Sequence, residues 1–435
     1  MPKITFMGAG SSVFAKNVLG DSILTPALED SVIALYDIDG IRLAESEAML
    51  KAINANNGGK AHIEAYLGVE NRRDALRGAN YVVNAIQVGL YEPCTVTDFE
   101  VPKKYGLRQT IGDTLGIGGI FRALRTIPVM LDFARDMEAV CPDAWFLNYT
   151  NPVPILAAAL LRMTTIKSVG LCHSVQVCAP ILLEKLDMPY DERVQWKVAG
   201  INHQAWLLEV SRDGKDLYPE IKRRALAKTD KHDDMVRFEI MKRFGYYVTE
   251  SSEHSAEYVP YFIKSRYPEL IDAFNIPLDE YPRRCVHQIS QWKERSHELT
   301  RNPLLTHTRS HEYASYIMEA METNQPYIFG GNVLNNNLIP NLPAECVVEL
   351  MCVADKSGVT PCYAGRLPEQ CAALNRTNVN VHLLTFEAAR TLKKDAVYQA
   401  ALMDPHTSAE LSIDDIVAMC DDLIEAHGDW LPRYR

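Results

Sequence analysis

The chain has 435 residues, 47% of them hydrophobic and 23% charged, which is enough apolar chain for a sizeable core. Its 56 acidic side chains against 45 Lys and Arg leave a net charge of −11. That balance argues against a nucleic-acid or membrane partner and leaves neutral or cationic small molecules. The ten cysteines form no CxxC pair, no signal peptide precedes the first strand, and no apolar run reaches the roughly 18–20 residues of a membrane span. The expectation is a cytoplasmic protein with free thiols.

The first fourteen residues organise the rest. Ile4, Thr5, Phe6 and Met7 suit a short buried strand, Gly8-Ala9-Gly10 turns tightly, and Ser11, Ser12 and Val13 open a helix reaching about Leu24. Gly8 permits the turn, and Gly10 removes a side chain where a pyrophosphate would approach. The N–H groups of the helix start at Ser11 and Ser12 then face the phosphates. A second strand, Val32–Tyr36, ends at Asp37, placed to accept hydrogen bonds from an adenosine ribose and so to favour NAD over NADP. Val13 stands where the usual fingerprint has its third glycine. Strand, turn, helix, strand and acid in this order read as a dinucleotide site; the competing reading is an ordinary βα turn.

Strand and helix go on alternating. A helix is predicted from Ile41 to about Asn54, a turn at Asn56–Gly59 and a buried strand over Tyr81–Gln87. Leu115–Val140 reads as helical, with Pro128 marking a kink or a start. A strand over Ala144–Tyr149 delivers Asn151, which Pro152 keeps out of the helical region. After a helix at Val153–Arg162, the strand Ile166–Leu171 ends at Cys172 and His173. The pattern predicts an α/β fold: a Rossmann-type, doubly wound NAD-binding domain over 1–198 and an α+β substrate and oligomerisation domain over 199–435. In the second part, Trp206–Val210 reads as an antiparallel strand before the Asp213-Gly214 turn, and Asp230–Phe244 as a helix. The last helix has Ser412 as its cap, Asp415 three residues on, an apolar stripe through Ile416, Cys420 and Leu423, and Gly428 as its stop.

There is no HExxH, no GxSxG and no P-loop. Polar residues at predicted strand ends stand out instead. Cys172 and His203 offer a thiolate and an imidazole, which suit Mn²⁺, Co²⁺, Ni²⁺ or Zn²⁺ and leave positions open for substrate oxygens. Taken singly, such a Cys is more often a small buried hydrophobe and such a His is merely hydrogen-bonded. Asp113, in the loop Ile111–Thr114, could bind substrate hydroxyls, tune the metal, or simply sit in a turn. The segment Thr249–Tyr258 is dense in titratable groups, and by composition it reads as a solvated helix start. Its Tyr258 can act as a base only if a cation lowers its pKa from about 10.

Together these segments resemble glycoside hydrolase family 4, the NAD- and divalent-metal-dependent glycosidases, nearly end to end. The markers are Gly8-Ala-Gly-Ser11, Asp113-Thr-Leu-Gly116, Asn148-Tyr-Thr-Asn-Pro152, Cys172-His-Ser174, Gly200-Ile-Asn-His203, and Asn341-Leu-Pro343 with Glu349. The branch most resembled hydrolyses non-phosphorylated α-galactosides such as melibiose. The resemblance implies metal ligands at Cys172 and His203, substrate contacts at Asn151 and Asp113, and a catalytic base at Tyr258. His173, where 6-phosphoglycosidases carry Asn or Asp, is implied as the acid at the leaving group. Asn337 replaces a glycine common in relatives and is expected to keep its turn. The implied cofactors are NAD⁺ and Mn²⁺, or Co²⁺ or Ni²⁺. The implied route is oxidation at C3, elimination, water addition and reduction, without the usual carboxyl pair. The implied assembly is a homodimer or homotetramer acting on a small α-glycoside.

An α-glucosidase or an α-uronidase of the same family is the alternative, since a basic pocket residue would select a uronate. The rival outside the family is a hydroxy-acid or sugar dehydrogenase, because the N-terminal sheet resembles that of lactate and malate dehydrogenases. A non-catalytic nucleotide sensor is the remaining reading.

Overall fold

The computed structural model describes all residues, Met1–Arg435. Six strands are parallel: β1 (Lys3–Met7), β2 (Val32–Asp37), β3 (His62–Leu67), β4 (Tyr81–Asn84), β5 (Trp145–Asn148) and β6 (Lys167–Leu171). They lie in the order β6-β5-β4-β1-β2-β3. This is the doubly wound arrangement expected from the sequence, and its strand order reverses between β1 and β4.

Beyond β6 the pairing turns antiparallel. β7 (Val194–Ile201) and β8 (Gln204–Arg212) form a hairpin, with the short β9 (Lys215–Asp216) and β10 (Tyr247–Val248) against β8. β11 (Tyr327–Leu334) pairs with β6 on one side and β12 (Val347–Asp355) on the other; β12 also meets β7 and β13 (Gly358–Pro361). One 13-stranded sheet therefore runs through the molecule. β11 and β12 are inserted between β6 and β7, and position 198 falls inside β7. A single apolar cluster joins Ile4, Phe6 and Leu35 to Ile317, Phe329 and Leu350, so the two parts share a core.

Some elements differ from expectation for local reasons. β4 stops at Asn84, not Gln87, because the Asn84 amide turns to Asn148 Oδ1 (2.8 Å) and Thr150 Oγ1 (3.0 Å). The helix Gly116–Val140 passes through Pro128, which lies on its solvent side where a lost backbone bond is tolerated. The helix expected from Asp230 starts at Met235, since Asp234 is drawn into a buried network with Arg237 and Tyr247. Asn336 and Asn337 both adopt positive φ (41° and 65°), so the turn survives without a glycine. The final helix, Ile413–His427, follows the reading closely: Ser412 Oγ accepts from the Asp415 N–H (3.2 Å), and Gly428 ends it at φ 51°. No helix is long and apolar enough to cross a membrane, and all ten cysteines are free.

Candidate active site

The glycine turn after β1 is shaped for close approach. Gly8 has φ 86°, and a Cβ there would lie 3.0 Å from the backbone of Ala85 and Ile86. The Gly10 N–H donates to Asp37 Oδ2 at 2.6 Å, so Asp37 braces the turn from the end of β2. Its other oxygen accepts from the Asp39 N–H (2.9 Å). Ser12 Oγ donates to the Gly10 carbonyl (3.2 Å), whereas Ser11 Oγ is buried without a partner. The helix Val13–Leu24 has no side-chain cap. An orphaned hydroxyl, an uncapped helix start and a turn closed to any Cβ fit a dinucleotide pyrophosphate.

The second part of the site gathers where β6 and β7 end and β8 begins. Cys172 is the residue between β6 and the helix His173–Lys185, with Sγ 3.2 Å from Ser174 Oγ. His203 lies in the turn joining β7 to β8, at the left-handed φ of 62°, a strained conformation for a non-glycine residue that clusters at functional sites. Its Nε2 is 3.5 Å from Glu250 Oε2, and its Nδ1 is 2.8 Å from the Tyr258 hydroxyl. Ligand atoms of Cys172, His203 and Glu250 lie within 4.8 Å of one another, as do those of Asp113, His203 and His254. A sulfur, an imidazole and a carboxylate suit a borderline divalent ion, so the residues present fit one.

The electrostatics of this end are dominated by burial and by carboxylates. Burial works against the His203 imidazolium, but Cys172 and Glu250 outweigh it and push the pKa up to about 10. Burial likewise resists charge on Glu250, yet His254 and His203 hold its carboxyl down to about 2. Asp113 is buried too, and Arg122, His254 and His203 keep it below the usual range. Its Oδ2 accepts from Asn151 Nδ2 at 2.9 Å. Tyr258 is driven well above its ordinary value by burial and by the charges of Asp113, Glu257 and Glu250. The shift is opposite to what a phenolic base needs, and a bound divalent cation is the charge that reverses it.

His173 stands on the other side of Cys172. Its Nε2 is 2.6 Å from Glu312 Oε2, and its ring stacks on Tyr149 (centroids 5.7 Å apart) with Phe14 and Tyr313 edge-on. Burial lowers its pKa, but the Glu312 hydrogen bond and charge prevail and raise it. The structure thus brings Cys172, His203, Tyr258, Asp113 and Asn151 into one connected group. His173 is held apart, with one side of its half-exposed ring against Tyr149, Phe14 and Tyr313, and Phe14 links it to the glycine turn.

The segment Thr249–Tyr258 is not solvated, which corrects the compositional reading. Ser252, His254, Ser255, Glu257 and Tyr258 are buried. Glu257 accepts from the N–H groups of Thr110 (2.8 Å), Ile111 (3.3 Å) and Gly112 (2.8 Å), and so shapes the loop that presents Asp113. Burial pushes its pKa up to about 7. The density of titratable residues was a fair signal for Glu250 and His254. No local signal marks Arg122 or Glu312; Glu312 lies 139 residues from His173.

A Rossmann sheet with a glycine turn suited to a dinucleotide, and a thiol–imidazole–carboxylate cluster at its strand ends that fits a divalent ion, defines the class of nucleotide-dependent enzymes. The chain belongs to the family 4 glycosyl hydrolases: the family model matches residues 3–188, and that of the family's C-terminal domain matches 198–407. It is 64% identical to an α-galactosidase of Bacillus subtilis (strain 168) over the full length of both chains. It is 35% identical to an α-galactosidase of Rhizobium meliloti (strain 1021), covering 99% of this chain and 89% of that one. Its fold matches a 6-phospho-β-glucosidase of Thermotoga maritima, solved with manganese, NAD⁺ and glucose-6-phosphate, at TM-score 0.80 and 20% identity, covering 99% of this chain and 100% of that one.

Proposed function

We propose that this enzyme is an α-galactosidase that cleaves non-phosphorylated α-galactosides with the help of NAD⁺ and Mn²⁺, or another divalent ion such as Co²⁺ or Ni²⁺. The observation that carries the reading is that Cys172 Sγ, a ring nitrogen of His203 and a Glu250 oxygen gather within 4.8 Å of one another while His203 Nδ1 meets the Tyr258 hydroxyl. NAD⁺ would be held by Gly8, Gly10, Ser11, Ser12 and Asp37, and the ion by Cys172 and His203. When bound, these groups supply reversible oxidation of a sugar carbon and polarisation of the neighbouring carbonyl.

The side chains around them do the rest. Asn151 and Asp113, locked to each other, orient the sugar hydroxyls. Tyr258 removes the proton beside the oxidised carbon, with His203 fixing its hydroxyl. His173, steadied by Glu312, delivers a proton to the departing oxygen. The carboxylates nearby are placed for other tasks: Asp113 bonds Asn151, Glu257 accepts from backbone N–H groups, and Glu250 stands beside Nε2 of His203 in the donor cluster. That leaves no free pair for the usual glycosidase route. Arg122 donates to the Asn151 carbonyl (3.2 Å) and the Tyr281 hydroxyl (3.1 Å) and faces Asp113, so it is poorly placed to select a uronate. Ten free thiols support a cytoplasmic setting. The helix Glu280–Arg301 buries only Cys285 and exposes Val286 and Ile289, which supports assembly into a homodimer or homotetramer.

Nitrophenyl α- and β-glycosides, with and without Mn²⁺ and NAD⁺, test the reading. The α-galactoside should be cleaved fastest, both additives should be required, and NADH should not accumulate. Deuterium at C2 or C3 should slow cleavage. Full activity without NAD⁺, or steady NADH release, would overturn it.

A further inference from the structure

The thiol and imidazole are not the only donors at the metal end, and the geometry points to Glu250 as a third protein ligand of the ion. This inference rests on the metal-dependent reading above. The ligand atoms of Cys172, His203 and Glu250 are mutually within 4.8 Å. His203 spends Nδ1 on Tyr258, which leaves Nε2 for the ion, and the carboxylate oxygen facing Nε2 is Glu250 Oε2 at 3.5 Å.

That separation is informative. A histidine paired directly with a carboxylate closes to about 2.7–2.9 Å, and His173 and Glu312 close to 2.6 Å in this same protein. Two donors each about 2.1 Å from a shared ion lie roughly 3.0 Å apart at the right angle of an octahedral site and roughly 3.4 Å apart at a tetrahedral angle, so Nε2 and Oε2 need close only slightly to share one. Glu250 is also held in place. Its Oε1 accepts from the Ser251 N–H (2.8 Å), and the preceding Thr249 carbonyl accepts from Arg237 Nη1 (3.2 Å). Arg237 is in turn paired with buried Asp234, which also accepts from the Tyr247 hydroxyl (2.5 Å). The alternative cluster of Asp113, His203 and His254 is less free, because Asp113 accepts from Thr114 Oγ1 (2.8 Å) and Asn151 Nδ2 (2.9 Å). A hard oxygen donor beside a thiolate shifts the site's preference towards Mn²⁺ and away from softer ions.

The test is Mn²⁺ binding to the metal-free, substrate-free protein, followed by the EPR signal of unbound Mn²⁺. Glu250→Gln should weaken binding by about tenfold or more, Glu250→Asp should recover part of it, and His254→Gln should bind as the wild type does. Loaded with Co²⁺, Glu250→Gln should keep the thiolate charge-transfer band of Cys172 while its visible ligand-field bands shift. If Glu250→Gln binds Mn²⁺ normally while Cys172→Ser does not, Glu250 is not a ligand and the proposed function stands. If His254→Gln is the variant that loses Mn²⁺, the ion belongs to the other cluster and the inference fails. If the wild type binds no Mn²⁺, the metal-dependent reading itself falls.

Discussion

His382 shows how one side chain couples burial to pH. It lies in the helix Glu369–Thr391, 3% exposed, and neither ring nitrogen meets a partner. Burial alone pushes its pKa down to about 3, against about 6.5 in the unfolded chain. As pH falls below about 6.5, the unfolded chain takes up a proton that the folded chain refuses. The stability is therefore present at neutral pH and is lost as pH falls towards 3. His382→Leu should flatten this dependence. Between about pH 7 and about pH 5.5, the wild type should lose about 1 kcal/mol more than the variant. Urea midpoints at the two pH values measure it, and equal losses would show that another group carries the acid sensitivity.

Among the elements, the strap from Asn302 to Glu312 links the nucleotide helix to His173. Asp21, fully buried in Val13–Leu24, accepts from His307 Nε2 (2.6 Å), the Ser310 N–H (2.7 Å) and Ser310 Oγ (2.6 Å). The strap then presents Glu312 to His173, and Tyr313 donates its hydroxyl to the Cys172 carbonyl (2.8 Å). His307 passes so close to the helix that a Cβ on Gly20 would sit 2.6 Å from its ring. Gly20→Ala should push the strap outward at a cost of about 1–3 kcal/mol. Turnover should fall while Mn²⁺ affinity stays near wild type, because neither Cys172 nor His203 is displaced. Unchanged turnover and an unchanged denaturation midpoint would mean that the strap does not position His173.

At the scale of the whole molecule, a buried ion pair within the N-terminal half holds the C-terminal helix through His427. Arg125 grips Asp98 with both terminal nitrogens (3.1 and 2.6 Å), and His427 Nε2 is 2.9 Å from the same carboxylate. Around this centre, Phe121 and Leu124 pack with Ile416, Met419 and Leu423. Arg125→Met leaves Asp98 buried and uncompensated, which should cost about 3–5 kcal/mol. Adding Asp98→Leu and His427→Leu together should restore much of that loss, since apolar side chains then replace the ions and the imidazole that bonds Asp98. Denaturant midpoints of Arg125→Met, of Asp98→Leu with His427→Leu, and of all three changes combined form the cycle. A combined variant as unstable as the sum of its parts would show that Arg125 and the Asp98–His427 pair act independently.

The residues of β1, the glycine turn and Asp37 were legible in order, as were the strand ends at Asn151 and Cys172, the donor at His203 and the Ser412 cap. Each is written in a few neighbouring residues, where turn chemistry, capping and strand periodicity act locally. The edge strand β3 was missed although it carries Ile63, Ala65, Tyr66 and Leu67, because it is short and mostly exposed and only its pairing with β2 marks it as a strand. The β11–β12 hairpin, the burial of Thr249–Tyr258 and the pairing of Glu312 with His173 were also out of reach. These depend on which distant segment covers which face, and no short stretch of chain records that. The sequence by itself determined the parallel sheet, its nucleotide turn and the donors presented at strand ends. Only the tertiary structure decided that β11 and β12 enter the sheet beside β6, bringing His203 and Glu250 up to Cys172, because long-range burial is summed over the whole core.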